Sequence, residues 1–327
     1  LIGTAEAQDR SASFFGALTY TLCDKYVFNL NARFDGADII GTDNRFTPLW
    51  SASFRWNAMR ENFLKDVNFI SDLAIRLSYG YTGNIDRSSY PIPMIFLSGY
   101  RYDENFVAES VTFPNPNIKW ERKQDRNFGL DFGFWDNRIG GSFNYYWNTG
   151  KDLLGTMTTP ESYGRTSIKA NVSSIENTGW EFNVNLRLDL GANVRWINSF
   201  NIAQNTNKIK KTYLKDLNEL NVMGGSDNIE GYASGSMFGY RFAGVNPLTG
   251  QAMIYLTDES RKILADYRGV DISQVADKID TEEIDYNIRE ELLRASMEKL
   301  GSVTPKVTGG FSSTLTWKKL EVRASFA

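Results

Sequence analysis

Strict period-two alternation over long stretches is the feature that most constrains how this chain folds. Between residues 180 and 190, large apolar side chains occupy every even position, and polar or charged ones such as Glu181 and Arg187 fall between them. Successive side chains of a β-strand point to opposite faces of its sheet. Alternation of this length therefore predicts a strand with one apolar face and one polar face.

The same pattern recurs along the chain and predicts about ten strands. Aromatic residues make up 14% of the composition, which favours strands over helices. Within each predicted strand the apolar set keeps to one parity. The predicted strands cover residues 12–22, 26–34, 49–57, 73–81, 128–134, 139–147, 180–190, 194–202, 311–317 and 320–326.

The parity of the apolar residues also predicts how neighbouring strands pair. Directly opposed residues of an antiparallel pair share a face, so both apolar rows of a hairpin must fall on one side. A slip of one residue would turn every side chain over. The predicted pairs are Phe134 with Ile139, Leu130 with Phe143, Phe128 with Tyr145, Leu188 with Trp196, and Phe182 with Ile202.

Short and long connections alternate between the predicted strands. The short ones lie at 23–25, 135–138, 191–193 and 318–319, with a moderate one at 59–71, and the long ones lie at 36–47, 83–118, 150–170 and 204–307. In an antiparallel meander, all short connections then lie at one end of the strands. Short periplasmic turns and longer extracellular loops are typical of outer-membrane barrels. We therefore predict an all-β, transmembrane, antiparallel up-and-down β-barrel with a minor helical part in its loops.

A soluble β-sandwich would show the same alternation, and the placement of charges favours the barrel. No Asp, Glu, Lys or Arg lies on the apolar parity of the predicted strands. A charge that faces lipid at mid-depth costs about 2 to 4 kcal/mol, whereas one in a wet lumen costs little. Tryptophans near the predicted strand ends fit the aromatic girdles of such barrels. The charged residues predicted to face the lumen are Arg33, Arg55, Arg76, Asp131, Glu181 and Arg187.

Composition removes several classes of function. Histidine is absent and Cys23 is the single cysteine, so the usual hydrolase triads, zinc sites and thiolate clusters lack their central residues. A formal net charge of −3 without a basic run argues against a nucleic-acid partner. Acidic residues between 277 and 285 lack the spacing of a calcium loop and are expected on a solvated face. We expect a non-enzyme without cofactor or metal.

Aromatic side chains in the long connections are the candidates for contact with a substrate or a partner. A rigid barrel holds such loops at its mouth, and Tyr and Arg are frequent at binding hot spots. The alternative is that these tyrosines only pack their own loops. Residues 257–299 show helical spacing and are expected to form small helices. The candidates are Tyr90, Tyr100, Arg101, Tyr102, Asp103, Tyr163, Tyr232 and Tyr240.

Six segments carry a family resemblance when they are taken in order. They are "YTLCDKYVFNLNARFDGAD", "LAIRLSYGYTGN", "FPNPNIKWERKQDRNFGLDFGFWDNRIGGSFNYYWNTGKDLL", "NTGWEFNVNLRLDL", "GYRFAGVNPLTGQ" and "VTPKVTGGFSSTLTWKKLEVRASF". Together they resemble the outer-membrane nutrient importers of the SusC/RagA family, a branch of the TonB-dependent transporters. The resemblance runs from about residue 14 to the C-terminus.

The resemblance implies a larger barrel of about 22 strands in the outer membrane of a Gram-negative bacterium, in contact with outer-membrane lipid. It implies import of an oligosaccharide or peptide under a SusD-like surface lipoprotein, with energy passed from TonB. Residues 1–327 are then a middle-to-late part of the barrel domain, with 204–307 as a long extracellular region. The plug domain, TonB box and closing strands are expected to lie outside these residues. The alternative is a soluble or surface-displayed glycan-binding module without transport.

Overall fold

The computed structural model describes residues 10–38, 40, 45–86, 94–112, 115–160, 162, 167–191, 193–212 and 228–327. The chain divides into two compact units. The first, called here the sheet unit, comprises Leu1–Tyr213 and Lys306–Ala327. The second, called here the loop unit, comprises Leu214–Pro305.

Strands dominate both units. In chain order they are β1 (Ser11–Leu22), β2 (Tyr26–Ala37), β3 (Phe46–Asn57), β4 (Ile70–Asn84), β5 (Met94–Tyr102), β6 (Asn105–Thr112), β7 (Glu121–Phe134), β8 (Ile139–Thr158), β9 (Ser167–Asp189), β10 (Val194–Lys211), β11 (Ser236–Gly239), β12 (Phe242–Val245), β13 (Ala252–Tyr255), β14 (Lys278–Asp280), β15 (Glu298–Ser302), β16 (Val307–Trp317) and β17 (Leu320–Phe326). The α-helices among the described residues are α1 (Asp258–Arg268) and α2 (Arg289–Ser296).

The sheet unit contains one ten-stranded antiparallel sheet in the order β1-β2-β3-β4-β7-β8-β9-β10-β16-β17. These are the ten strands predicted from the alternation, and each pairs with its neighbours in up-and-down order. All five predicted residue pairs are confirmed, including Phe134 with Ile139 and Phe182 with Ile202. Alternation specified the register because only one pairing keeps both apolar rows on one face.

Several strands are longer than the alternation predicted. The expectation of a long connection at residues 150–170 is wrong, because β8 runs for 20 residues to Thr158 and β9 for 23 residues from Ser167. A strand needs only about 9 to 11 residues to cross a bilayer. The ladder of backbone hydrogen bonds continues past the alternating apolar rows. Part of the predicted connection at 83–118 is likewise the β5–β6 hairpin.

Among the described residues, large side chains on the apolar face of the sheet are exposed. Phe14 is 69% exposed, Leu18 61% and Phe326 69%. In a soluble sandwich, such side chains would be buried between two sheets, and a soluble monomer rarely leaves an apolar patch of this size in water. The uncovered face therefore fits lipid contact and excludes the sandwich packing.

The loop unit has a hydrophobic core of its own. Leu264 of α1, Ile279 of β14 and Leu292 of α2 are buried together in it. Helix α1 begins after Thr257, whose side chain accepts a hydrogen bond from the Ser260 N–H. None of the helices in the described part of the chain is long and apolar enough to cross a membrane.

The second predicted helix of the loop unit is shorter than its spacing indicated. Residues 281–288 form turns, because the Asp280 and Asp285 carboxylates accept hydrogen bonds from the backbone N–H groups of Glu282 and Asn287. Residues after α2 pair with β11 as β15. The apolar residues of this segment are nevertheless buried: Ile284, Ile288, Leu292 and Leu293.

Candidate functional site

Three of the residues predicted to face a lumen meet on the polar face of the sheet. Arg76 Nε and Nη2 donate to the two Asp131 carboxylate oxygens at 2.9 and 2.7 Å, and Arg55 Nη1 donates to the same carboxylate at 3.1 Å. Arg76 also donates to Asn144 Oδ1 at 3.1 Å. Gly129 lies opposite Arg76, and a Cβ there would lie 2.9 Å from the guanidinium carbon. Two cations on one carboxylate leave this cluster with a net positive charge.

The other predicted lumen residues form separate contacts on the polar face. Arg33 pairs with Asp35, and Arg187 pairs with Asp189 at 3.3 Å. Glu181 lines a polar groove of about 760 Å³. The structure therefore brings Arg55, Arg76 and Asp131 into contact and places the remaining three apart.

Uncharged polar side chains connect neighbouring strands on this face. Asn29 Nδ2 donates to Ser53 Oγ at 3.1 Å, and Ser199 Oγ donates to Asn185 Oδ1 at 2.7 Å. These groups satisfy one another and remain able to hydrogen-bond water or a solute. None of them forms a nucleophile and base arrangement with an imidazole, because the chain has no histidine.

A groove on the polar face was missed by the sequence analysis. It has a volume of about 610 Å³ near the ends of β1 to β4, and Phe15, Arg33, Asp35 and Trp120 are among its lining residues. Phe15 is 84% exposed and follows Phe14 on the opposite parity of β1. An aromatic residue on the polar parity of a predicted strand was the signal that could have found this groove.

The β5–β6 hairpin presents the first group of loop candidates. Tyr100 and Tyr102 are 81% and 80% exposed. The Arg101 guanidinium lies 4.5 Å from the centroid of the Phe106 ring on the opposite strand. Asp103 begins the turn with a φ of 49°. The tip is therefore a narrow ribbon with aromatic rings and a cation open to solvent.

The remaining loop candidates differ in their surroundings. Tyr232 forms an edge contact with Phe238, with ring centroids 5.0 Å apart. Tyr240 packs against the core of the loop unit. Tyr90 and Tyr163 lie outside the described residues.

One acidic residue of the loop unit departs from the expected solvated face. Asp280 is 2% exposed, and its carboxylate accepts hydrogen bonds from Thr249 Oγ1 at 2.7 Å, Asn246 Nδ2 at 3.0 Å and the Glu282 N–H at 2.9 Å. These donors, Thr249 first, hold the pKa of Asp280 below its usual range. The expectation was wrong at this position because the carboxylate joins two loop segments. Among the described residues, no cluster of acidic or cysteine side chains could hold a metal ion.

At the short-connection end of the sheet, Glu61 joins two neighbouring connections. Lys25 Nζ donates to its carboxylate at 2.8 Å, the Tyr26 hydroxyl at 2.6 Å and Trp56 Nε1 at 3.3 Å. The hydrogen bond from Lys25, followed by that from Tyr26, lowers the pKa of Glu61 to about 2. The same contact raises the pKa of Lys25.

Comparison with known families identifies the sheet. The profile described as TonB dependent receptor-like, beta-barrel matches residues 3–277. The chain belongs to the TonB-dependent receptor family. The predicted resemblance is thereby confirmed, and the ten-stranded sheet of this receptor is part of the β-barrel of an outer-membrane family.

Curated relatives agree with this assignment. The receptor chain is 32% identical over 331 residues to TonB-dependent receptor P3 of Formosa agariphila, an alignment that covers 96% of this chain and 31% of P3. It is 35% identical over 207 residues to TonB-dependent receptor SusC of Bacteroides thetaiotaomicron, covering 61% of this chain and 21% of SusC. The chain therefore spans less than a third of the length of these relatives.

Solved structures have a similar fold. The receptor chain superimposes on the RagAB peptide transporter with a TM-score of 0.78 and 24% identity, over 97% of this chain and 33% of that chain. For the RagAB peptide importer in its closed-closed state the TM-score is 0.79 and the identity 25%, over 96% and 33% of the two chains. The relatives of this receptor are receptors and transporters.

Proposed function

We propose that this chain is part of the barrel of an outer-membrane importer that takes up a large nutrient, an oligosaccharide or a peptide, in a Gram-negative bacterium. The observation that carries the proposal is the ten-stranded meander, which has an uncovered apolar face and a hydrogen-bonded polar face. Residues 1–327 then belong to the barrel domain, with 204–307 as an extracellular region. Since an open sheet edge is unstable in lipid, we expect other parts of the full-length protein to complete the barrel.

The polar face would line the water-filled interior of the barrel. Arg55, Arg76 and Asp131 support this orientation because they share one face with Glu181 and with the serine and asparagine ladder. Charged groups on that face would be costly in lipid and are readily accommodated in water. The net positive charge of the cluster provides an attachment point for an acidic group of the cargo or of a plug domain.

The groove around Phe15 is the proposed cargo contact within this chain. An exposed aromatic ring offers a stacking surface, and Arg33 and Asp35 beside it offer one donor group and one acceptor group. This combination suits sugar rings with hydroxyl groups and also suits a peptide backbone. Of the two classes, the peptide has the support of the solved relative RagAB, which is a peptide transporter.

The tip of the β5–β6 hairpin is the proposed contact for a SusD-like surface lipoprotein. An isolated two-stranded hairpin is marginally stable in water, so a partner that covers its rings would stabilise it. Exposed Tyr100, Tyr102 and Arg101 are of the residue types that dominate binding hot spots. The resemblance to the SusC/RagA branch supports this partner, and it supports energy transfer from TonB through a segment outside these residues.

Uptake in cells tests the importer assignment. A strain that lacks the full-length receptor is complemented with the wild-type gene and supplied with fluorescent oligosaccharides or peptides. We expect uptake of one of these classes to return, and to disappear when TonB is deleted. Complementation that restores neither class, although the receptor is assembled in the membrane, would contradict the proposal.

Co-purification tests the lipoprotein contact separately. Affinity-tagged full-length receptor is expected to retain a surface lipoprotein, and a variant with Tyr100→Ala and Tyr102→Ala is expected to lose most of it. Phe63→Ala removes another exposed ring, at 69% exposure, from the opposite end of the strands. This control should retain the lipoprotein. Equal retention by the hairpin variant would exclude the hairpin as the contact.

A further inference from the structure

A groove crosses the apolar face of the sheet, on the side opposite the polar cluster. It has a volume of about 710 Å³ and is lined by residues of β2, β3, β4, β7 and β8, Ala52 of β3 among them. Ala52 stands between Trp50 and Phe54 on its own strand, and Leu30 and Tyr79 lie directly opposite it on β2 and β4. Ala52 contributes only a methyl group to the groove, whereas each of its neighbours on this face is large.

The groove ends at a cation. Among the described residues that line it, Arg126 alone is charged. Arg126 lies about eight residues along β7 from Phe134 at the turn, roughly 20 Å in height for a tilted strand, which is close to the 25 Å height of an outward apolar band. It therefore stands at the edge of that band towards the long connections, where lipid head groups begin.

The Arg126 guanidinium is held in place but is not neutralised. It lies 4.5 Å from the centroid of the Trp147 ring, which also lines the groove. Within the described part of the chain it has no carboxylate partner. A cation stacked on an indole keeps its hydrogen-bond donors available for an anion.

Two further cations lie on the same face beyond Arg126. Arg122 of β7 and Lys151 of β8 are directly opposed and exposed. Arg122 pairs with Asp152 at 2.6 Å, so the pair of cations has one carboxylate between them. Glu176, which pairs with Lys210 at 3.3 Å, also lies on this face and hydrogen-bonds Trp147. The described cations Arg122, Arg126, Lys151 and Lys210 therefore outnumber the carboxylates Asp152 and Glu176.

We propose that this groove binds one membrane lipid with a phosphate head group. Its acyl chain lies along Ala52 between Leu30 and Tyr79, and its phosphate accepts hydrogen bonds from the Arg126 guanidinium. The apolar lining matches a hydrocarbon chain, and the unpaired cation at its end matches an anionic head group. This site faces away from the lumen and goes beyond the proposed import function.

Native mass spectrometry of the delipidated, full-length receptor in detergent tests the site, with phosphatidylglycerol as the anionic probe and phosphatidylcholine as its zwitterionic counterpart. The wild type is expected to retain phosphatidylglycerol at least threefold better than phosphatidylcholine. Arg126→Gln and Ala52→Phe are each expected to reduce retained phosphatidylglycerol at least threefold. Inorganic phosphate at millimolar concentration should not displace the lipid, because it lacks the acyl chain.

Matched variants separate the site from general effects of charge and volume. Lys123→Gln removes one positive charge from the opposite face of β7, and Ala324→Phe adds one ring to the apolar face at β17. Both should retain phosphatidylglycerol as the wild type does. Heat-modifiable migration verifies that each variant is folded, and Ala52→Leu replaces Ala52→Phe if the larger ring blocks assembly. Wild-type retention by Arg126→Gln or by the Ala52 variant overturns the proposal, as does displacement by phosphate alone.

Discussion

Arg76 holds Asp131 with two nitrogen atoms, at 2.9 and 2.7 Å, although the two residues belong to different strands and lie 55 positions apart in the chain. Arg55 adds a third hydrogen bond from the next strand. The carboxylate thus links three neighbouring strands on one face. This geometry makes Asp131 the side chain whose loss should affect the polar face most.

Asp131→Asn should lower the stability of the folded receptor by about 1 kcal/mol, because two arginines lose their counterion while water still reaches them. The temperature at which the folded band disappears on heating in detergent measures this loss. Asp189→Asn is the control, since its side chain is 45% exposed against 20% for Asp131. An equal fall in the unfolding temperature of both variants would show that Asp131 contributes no more to stability than Asp189.

Adjacent residues of β8 test the assignment of faces. Phe143→Arg places a charge on the apolar face at mid-depth and should cost about 2 to 4 kcal/mol, enough to prevent assembly of the barrel. Ser142→Arg places the same side chain one position away, on the polar face opposite Asp131, and should assemble. The amount of folded receptor in outer-membrane fractions is the measurement. Comparable assembly of the two variants would contradict the assignment of the apolar and polar faces.

Substitution of two neighbouring glycines by alanine should change the stability of the receptor by different amounts. A Cβ at Gly141 would collide with the Asn183 carbonyl oxygen and the Phe132 ring. A Cβ at Gly140 finds its nearest neighbour, the Phe132 carbonyl oxygen, at 3.7 Å. Gly141→Ala should therefore destabilise the receptor by about 1 to 3 kcal/mol, whereas Gly140→Ala should be nearly neutral. Thermal unfolding in detergent distinguishes them.

Glu61 predicts a pH dependence at the short-connection end of the sheet. Its pKa falls from an ordinary 4.5 to about 2 in the folded receptor, so its contribution to stability is complete above pH 4.5 and is lost as the pH falls towards 2. Glu61→Gln should lower the unfolding temperature at pH 7, and the difference from the wild type should shrink below pH 4.5. A difference that is constant with pH would show that the carboxylate charge has no role.

Asp280 should matter for the loop unit alone. Asp280→Ala removes the acceptor of three hydrogen bonds that join residues 246–249 to the turn after β14. We expect faster proteolytic cleavage between residues 236 and 302 and an unchanged heat transition of the sheet unit. Asp277→Ala, at an exposed position three residues earlier, should be cleaved as slowly as the wild type.

Alternation along the sequence predicts the ten strands, their faces and the register of two hairpins, β7–β8 and β9–β10. Each of these follows from a local rule, since side chains alternate along a strand and apolar rows such as those of Phe128 and Tyr145 must share a face. The alternation did not determine where the strands end. Backbone pairing continues through Thr158 and Ser167 because hydrogen bonds between strands do not depend on which side chains they carry.

Which distant side chains meet follows from the packing of strands that are far apart in the chain. The contact of Arg55 and Arg76 with Asp131, and the placement of Arg126 at the end of the Ala52 groove, depend on which strands lie side by side and at what offset. The β5–β6 hairpin and the burial of Asp280 likewise lie in connections that lack the alternation of the ten strands. Alternation specifies the face on which each residue of the ten strands lies. The offset between strands then determines which residues are its neighbours on that face.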